Sequence, residues 1–217
     1  MLCYEVRVKR GLAALLAALV FPAAASAAKP TETKWIDKRD GFSVILPPKW
    51  YPVPRTVTAV KQTVAALKKQ KKTALANEYA FYLTAFGKTQ LKAYVFQAFY
   101  DIAPSNDPIY PQFAVQVSTA AKPYTTADLP AAGRAYGSSL AQHKGAKISV
   151  PERISLPVGP AQFLTGTVPA GTGLADGFEL YLLVHKGRLY ALKFDIDATV
   201  LSQAKVFRSI AEHFAWV

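Results

Sequence analysis

The stretch DGFSVILPPKWYPVP, residues 40–54, carries the strongest fold signal in the chain. Phe42, Val44 and Leu46 alternate with other residues, so they share one face of a predicted β-strand. Two prolines follow, and because proline has no N–H to donate, strand pairing is expected to end there. Trp50 comes next, where the chain turns, and we expect its ring to pack in the core. The stretch therefore predicts a first strand, a turn and a buried tryptophan.

The sequence after this stretch alternates between helical and strand-like patterns. The predicted elements are helix 57–86, strands 91–101 and 112–118, helix 125–143, short strands 146–150, 152–156 and 161–168, a hairpin over 177–196 that turns at Lys186-Gly187, and helix 199–216. The first helix falters at Lys71, where lysine takes an apolar position of the 3.6-residue pattern. Consecutive strands with short turns favour antiparallel pairing, with helices packed over the sheet. The order predicts one α+β domain.

The N-terminus has the three-part layout of a secretory signal. Three basic residues within positions 7–10 precede an apolar run at 12–21, and the small residues Ala25-Ser26-Ala27 follow. This layout predicts a signal peptide over residues 1–27 with cleavage near Ala27-Ala28. The alternative is an uncleaved membrane anchor, for which the apolar run is short and is interrupted by proline.

Composition limits what the mature chain can do. The only cysteine, Cys3, lies in the predicted signal, so disulfides, thiolate metal sites and a cysteine nucleophile are excluded after cleavage. Residues 28–39 are predicted to be a short polar tether and residues 40–217 the domain, with no transmembrane segment after cleavage. The formal net charge of +12 favours acidic partners. Nucleic acid is disfavoured because the chain is predicted to be exported.

A basic stretch follows the first strand. No acidic residue occurs between Gly41 and Asn77. On one continuous helix, Lys61, Lys68 and Lys72 would fall within about 40° of one another. The predicted binding residues for an anionic partner are Lys61, Lys68, Lys69, Lys71 and Lys72. The alternative is a solvated face that keeps the protein soluble.

No catalytic residue, metal site or cofactor is predicted. Ser202 and Lys205 match the S-x-x-K motif of penicillin-binding enzymes, but the S-D-N and K-T-G partners of that motif are absent from the sequence. Asp195 and Asp197 could chelate a hard cation, although Asp197 is better explained as the start of the last helix. The histidines lack metal-ligand spacing. They are His143, His185 and His213.

Two short motifs carry a family resemblance. Gly41-Phe42-Ser43-Val44 followed by Pro48-Lys49-Trp50 resembles the opening of the PsbP/Mog1-like superfamily. Leu156-Pro157-Val158-Gly159-Pro160-Ala161 resembles a turn before the late strands of secreted bacterial relatives, including mycobacterial LpqN-like proteins. The closing hairpin and last helix also fit. The resemblance implies a single-domain α/β/α sandwich with a central, mostly antiparallel sheet.

The same resemblance implies binding or assembly rather than catalysis. The chain departs from the secreted relatives because it lacks the lipobox cysteine that anchors many of them. It is therefore predicted to be an exported, non-catalytic binding or assembly module of the bacterial cell envelope, with an envelope protein or an anionic surface as partner. The alternative function is electrostatic binding of anionic lipid or cell-wall polymer through the basic helix, residues 61–72. An envelope hydrolase is a more distant alternative.

Overall fold

A computed structural model describes residues 32–85, 94–101, 111–169, 175–197 and 204–217. The strands are β1 (Thr33–Asp37), β2 (Phe42–Leu46), β3 (Trp50–Pro52), β4 (Phe96–Tyr100), β5 (Gln112–Ser118), β6 (Lys147–Ile148), β7 (Glu152–Leu156), β8 (Gly159–Pro169), β9 (Ala175–His185), β10 (Arg188–Asp197) and β11 (Ala215–Trp216). The helices are α1 (Val57–Lys69), α2 (Thr73–Ala85), α3 (Leu129–Ala141) and α4 (Ala204–Glu212), with a 3-10 turn (Thr126–Asp128) before α3.

The strands form two sheets. The small sheet has the order β1-β2-β11, and the large sheet has the order β3-β4-β5-β10-β9-β8. Both β6 and β7 pair with the outer side of β8, at successive positions along it. Every pairing in the described residues is antiparallel. The predicted α+β class with a mostly antiparallel sheet is confirmed.

Helices and the small sheet cover the two faces of the large sheet. On one face, α1 and α2 pack around Val53 and Phe99, and α3 packs over Leu164 and Leu182. On the other face, α4 and the small sheet enclose the largest core. These layers are the predicted α/β/α sandwich.

The opening strand forms as predicted. Phe42, Val44 and Leu46 are fully buried in the largest core, and β2 ends at Leu46, immediately before the prolines. Trp50 is 3% exposed, begins β3 and meets the ring of Phe207 edge-on at 6.3 Å. The prolines therefore separate a strand of the small sheet from a strand of the large one.

Two local features form where the sequence indicates them, at the start of predicted helix 125–143 and in the turn of hairpin 177–196. The capping box before α3 is present, because the Asp128 carboxylate accepts hydrogen bonds from the N–H and hydroxyl of Thr125. In the late hairpin, Lys186 and Gly187 have φ values of 47° and 73°. Two adjacent residues with positive φ characterise the type I′ turns that fit the twist of a hairpin.

The first and last described elements differ from the prediction. The predicted tether at 28–39 includes β1, which pairs with β2, and the ring of Trp35 lies 5.3 Å from that of Phe96. The last helix, predicted to reach residue 216, ends at Glu212. The next residues form β11, in which Trp216 pairs with Phe42. Short strands such as β1 and β11 gain their stability from sheet pairing and core contacts, which local sequence patterns do not report.

Candidate functional site

The basic stretch folds as a helix, a turn and a second helix. The Thr56 side chain accepts a hydrogen bond from the Ala59 N–H and so begins α1. The helix ends with the N–H groups of Lys71 and Lys72 bonding to the carbonyls of Lys68 and Leu67, which is the Schellman pattern. Lys71 occupies the left-handed position of this motif, with φ of 60°. The sequence predicted a break here, and the structure places it between α1 and α2.

Four of the predicted binding lysines form an exposed surface. We call them the basic surface: Lys61, Lys68, Lys69 and Lys71. All four are exposed, and within the described residues none of them has an acidic side chain within 4.0 Å. The first three lie on α1 and the fourth at its end, where cations also interact favourably with the helix dipole. Their binding of an anionic partner stays a prediction.

Lys72, the fifth predicted residue, has a different environment. α1 ends before it, so the helical alignment of Lys72 with the other lysines does not form. Its Nζ lies 2.6 Å from Asp101 Oδ2, bonds to the Tyr51 hydroxyl and sits 4.3 Å from the centre of the Tyr51 ring. Burial alone would lower the pKa of Lys72, but hydrogen bonds with Asp101 and Tyr51 raise it overall. Lys72 thus joins the start of α2 to β3 and the end of β4.

A second cationic region surrounds two buried carboxylates at the turn between β1 and β2. We call it the arginine cluster. Arg188 Nη2 lies 2.8 Å from Asp40 Oδ1, and Arg39 Nη2 lies 2.6 Å from Asp40 Oδ2. Arg55 Nη1 lies 3.4 Å from Asp37 and 3.9 Å from Asp40. The cluster therefore connects the β1–β2 turn to β10 and to the segment before α1.

The chemistry of the arginine cluster is that of a structural contact. Burial by itself would raise the pKa of Asp40, but hydrogen bonds from Arg188 and Arg39 lower it overall. The Tyr190 hydroxyl adds a 2.7 Å bond to the Asp40 carbonyl. The arginine cluster has no signature in the sequence, because its members are up to 151 positions apart in the chain.

Polar side chains also cross the large sheet on the side of α1, α2 and α3. Gln97 donates to Gln112 at 3.0 Å, Gln112 donates to Asp195 at 2.9 Å, and Lys193 Nζ lies 3.2 Å from the other Asp195 oxygen. Burial raises the pKa of Asp195, while the charge of Lys193 lowers it. Asp195 therefore has its partners in the sheet. The sign of this network in the sequence is that polar residues occupy positions of β4, β5 and β10 that share one face of the sheet.

The three histidines considered for metal binding lie on different parts of the described structure. No group of three or more metal-ligand side chains occurs in the described parts of the chain. His143 follows α3, His185 ends β9 and His213 follows α4, where its Nδ1 lies 2.8 Å from the Ser209 carbonyl oxygen. Asp197 ends β10. Ser202 lies outside the described residues.

No helix in the described residues is long and apolar enough to cross a membrane. No family model matches the sequence, and no curated protein matches it significantly. Solved structures do match. LpqN of Mycobacterium tuberculosis, which is involved in cell envelope biogenesis, has 14% sequence identity and a TM-score of 0.50. That match covers 85% of this chain and 90% of LpqN.

The second similar structure is cyanobacterial PsbP (CyanoP) from Synechocystis sp. PCC 6803. It has 12% sequence identity and a TM-score of 0.56, over 91% of this chain and 99% of CyanoP. Both matches extend over nearly the whole of the known protein, 90% of LpqN and 99% of CyanoP. The chain therefore has the PsbP/Mog1-like fold.

Proposed function

We propose that this chain is an exported, non-catalytic binding or assembly protein of the bacterial cell envelope. The observation that carries the proposal is the fold shared with LpqN over 85% of this chain, since LpqN is involved in cell envelope biogenesis. The predicted signal peptide over residues 1–27 supports an extracytoplasmic location. A fold alone does not determine function, so the contact surface must be identified from this chain's own residues.

The side chains of the described residues favour binding over catalysis. Lys72 is paired with Asp101, and Asp40 with Arg188, so both contacts hold secondary structure elements together. Among the described residues, the lysines of the basic surface have no such partner. An exposed cation without an intramolecular partner is available to an external anion. We therefore assign the contact with the envelope to the basic surface.

Site-specific crosslinking in the native host tests this function. A photoreactive amino acid at Gln62, on α1 next to Lys61, is expected to capture a discrete envelope component in intact cells. The control places the same group at exposed Ser139 on α3, which lies away from the basic surface. Capture at both positions alike, or recovery of the protein from the cytoplasm only, would contradict the proposal. Fractionation of the same cells reports the location.

A second candidate function is electrostatic binding of anionic lipid. The observation that favours it is the absence of acidic residues from Gly41 to Asn77. No acidic neighbour in this part of the sequence offsets the positive charge of the basic surface. The basic-surface variant carries Lys61→Gln, Lys68→Gln, Lys69→Gln and Lys71→Gln. The matched variant removes the same charge from exposed lysines elsewhere: Lys34→Gln, Lys38→Gln, Lys122→Gln and Lys144→Gln.

Vesicle sedimentation distinguishes this candidate from a protein partner. Lysines near an anionic membrane contribute about 1 kcal/mol each, so four substitutions are expected to abolish measurable binding to vesicles with 30% anionic lipid at low salt. The matched variant should still sediment. Binding should also fall steeply at about 0.5 M salt, where the Debye length is only a few ångströms. Equal sedimentation with neutral vesicles would exclude lipid charge as the determinant.

A further inference from the structure

A cavity lies on the α4 side of the large sheet, where three strands run side by side. Thr167 of β8 pairs with Gly177 of β9, and Gly177 pairs with Ile196 of β10, so these positions form one row across the sheet. Because glycine has no side chain, the row has a gap at its centre. Phe207 of α4 also lines this space, which has a volume of about 150 Å³.

The backbone conformation at Gly177 does not require glycine. Gly177 lies within β9 and is not among the glycines with positive φ, whereas Gly187 in the hairpin turn has a φ of 73°. Alanine could therefore adopt the conformation of Gly177. A glycine inside a strand without a special φ often marks a place where another group approaches the backbone closely. We infer that the absence of a side chain, rather than backbone freedom, is what this position provides.

The wall of the cavity next to this row carries hydrogen-bond acceptors. Thr165 and Glu179 pair across β8 and β9 and both line the cavity. The Tyr181 hydroxyl donates to Glu179 Oε2 at 2.6 Å, and Oε1 has no partner within the described residues. The Thr165 hydroxyl donates to the Phe178 carbonyl at 2.9 Å, which leaves its oxygen free to accept. A ligand here would meet acceptors on this wall and apolar side chains elsewhere.

Size and charge together indicate the class of ligand. Apolar cavities of about 150 Å³ accommodate a benzene-sized ring. Burial raises the pKa of Glu179 overall, although the bond from Tyr181 and the charge of nearby Arg208 partly offset this. A cation beside this carboxyl group would stabilise its ionised form. An ammonium group supplies hydrogen-bond donors for the acceptors on this wall. It also supplies the positive charge that the Glu179 carboxylate favours.

We propose that this cavity binds a compact apolar amine, whose body fills the space above Gly177 and whose ammonium group donates to Glu179 and Thr165. The cavity is separate from the basic surface, because α1 packs on the opposite face of the large sheet. Binding here therefore does not depend on the envelope function proposed above.

Titration of isotope-labelled protein with benzylamine, benzyl alcohol and benzoate tests the proposal. Benzylamine is expected to bind with a dissociation constant of about 1 mM or tighter, as suits a ligand of this size. Benzoate is expected to bind at least about tenfold more weakly, because its charge repels that of Glu179. The chemical-shift changes should centre on Gly177 and Ile196.

Two variants locate the site. Gly177→Ala is expected to weaken benzylamine binding at least about tenfold, because its methyl group occupies the gap. Glu179→Gln should remove the preference for benzylamine over benzyl alcohol, which a purely structural role of Glu179 would leave unchanged. Glu152→Gln, at an exposed position of β7, is the matched control and should bind like the wild type.

Three results would overturn the proposal: no binding of benzylamine at millimolar concentration, equal binding of benzoate, or an unchanged affinity and selectivity in the variants. Thermal unfolding of each variant reports whether it is folded. If Gly177→Ala does not fold, the selectivity of Glu179→Gln decides the question alone.

Discussion

The basic surface on α1 and the arginine cluster at the β1–β2 turn place similar numbers of cations on the molecule, four and three. In the arginine cluster, Asp40 is only 6% exposed and meets Arg39 and Arg188 at 2.6 and 2.8 Å. The lysines of the basic surface are exposed, and none of them is paired within the described residues. Net charge counts both regions alike, but only the basic surface has charge available for a partner. Pairing, rather than the number of cations, therefore separates structural charge from binding charge.

The largest effect on stability is expected from Asp40→Ala. The change removes the buried carboxylate to which Arg39 and Arg188 bond, and because a hydrogen bond to a charged group contributes about 1.5 kcal/mol or more, the two together should cost about 3 kcal/mol. Chemical denaturation measures the free energy of unfolding. Glu212→Ala is the control, because it removes an exposed i,i+4 pair with Arg208 and should cost no more than about 0.5 kcal/mol. Equal costs for the two variants would show that the arginine cluster is not structural.

A smaller effect is expected from Lys72→Met. The substitution keeps most of the side-chain volume but removes the bonds to Asp101 and Tyr51, which should cost about 1.5 kcal/mol for charged hydrogen bonds at a partly buried position. Lys68→Met, four residues earlier on the exposed face of α1, should change stability by less than about 0.5 kcal/mol. If both variants unfold at the same denaturant concentration, Lys72 belongs with the basic surface after all.

Lys71→Gly is expected to stabilise the protein by about 1 kcal/mol, because glycine adopts the left-handed conformation without the cost that a β-carbon brings. Lys61→Gly is the comparison, since the same change inside α1 should destabilise by about 1 kcal/mol. Melting temperatures should move in opposite directions. A decrease in both would mean that the Lys71 side chain makes a contact that outweighs its backbone strain.

The smallest effect on stability is expected from the titration of His185, which is neither paired nor fully solvated. His185 stacks on Trp216 at 4.2 Å, and its Nε2 is buried with no hydrogen-bond partner among the described residues. Burial lowers the pKa of His185, as does the charge of Lys186, and Arg188 is its cross-strand neighbour. The folded state therefore resists protonation, so stability is complete above the unfolded pKa of about 6.5 and falls as the pH drops below it.

The melting temperature of the wild type should therefore fall more between pH 7.5 and 5.5 than that of His185→Phe, which keeps an aromatic ring against Trp216 but cannot titrate. Parallel pH profiles for the two proteins would show that His185 does not couple to folding in this range. A steeper profile for the variant would reverse the sign that burial assigns.

Much of the fold could be predicted from the sequence, because its elements have local signatures. β2 shows period-two alternation ended by prolines, α3 starts at a capping box, and the β9–β10 hairpin turns at Lys186-Gly187. The strands β1 and β11 were missed, because five and two residues without an alternating pattern depend on sheet partners far away in the chain. The last helix was predicted to continue past Glu212 to residue 216, but the residues after it pair with β2 instead.

The candidate site could be predicted only in part. The absence of acidic residues around α1 located the lysines, but the ion pair of Lys72 with Asp101 joins residues 29 positions apart, which no local pattern reveals. The cavity at Gly177 depends on the register of three strands and on the position of Phe207. Sequence spacing describes neighbours along one element, whereas these features arise from contacts between elements.

The proposed role of the basic surface is tested by binding to purified envelope from the host, measured by sedimentation at low and high salt. The wild-type chain, the basic-surface variant and the matched variant with Lys34, Lys38, Lys122 and Lys144 substituted are compared at equal concentration. Loss of binding is expected in the basic-surface variant alone. The two variants have the same net charge, so a difference between them reports the position of the lysines. Equal binding by both variants, whether retained or lost, would contradict the assignment of the contact to α1.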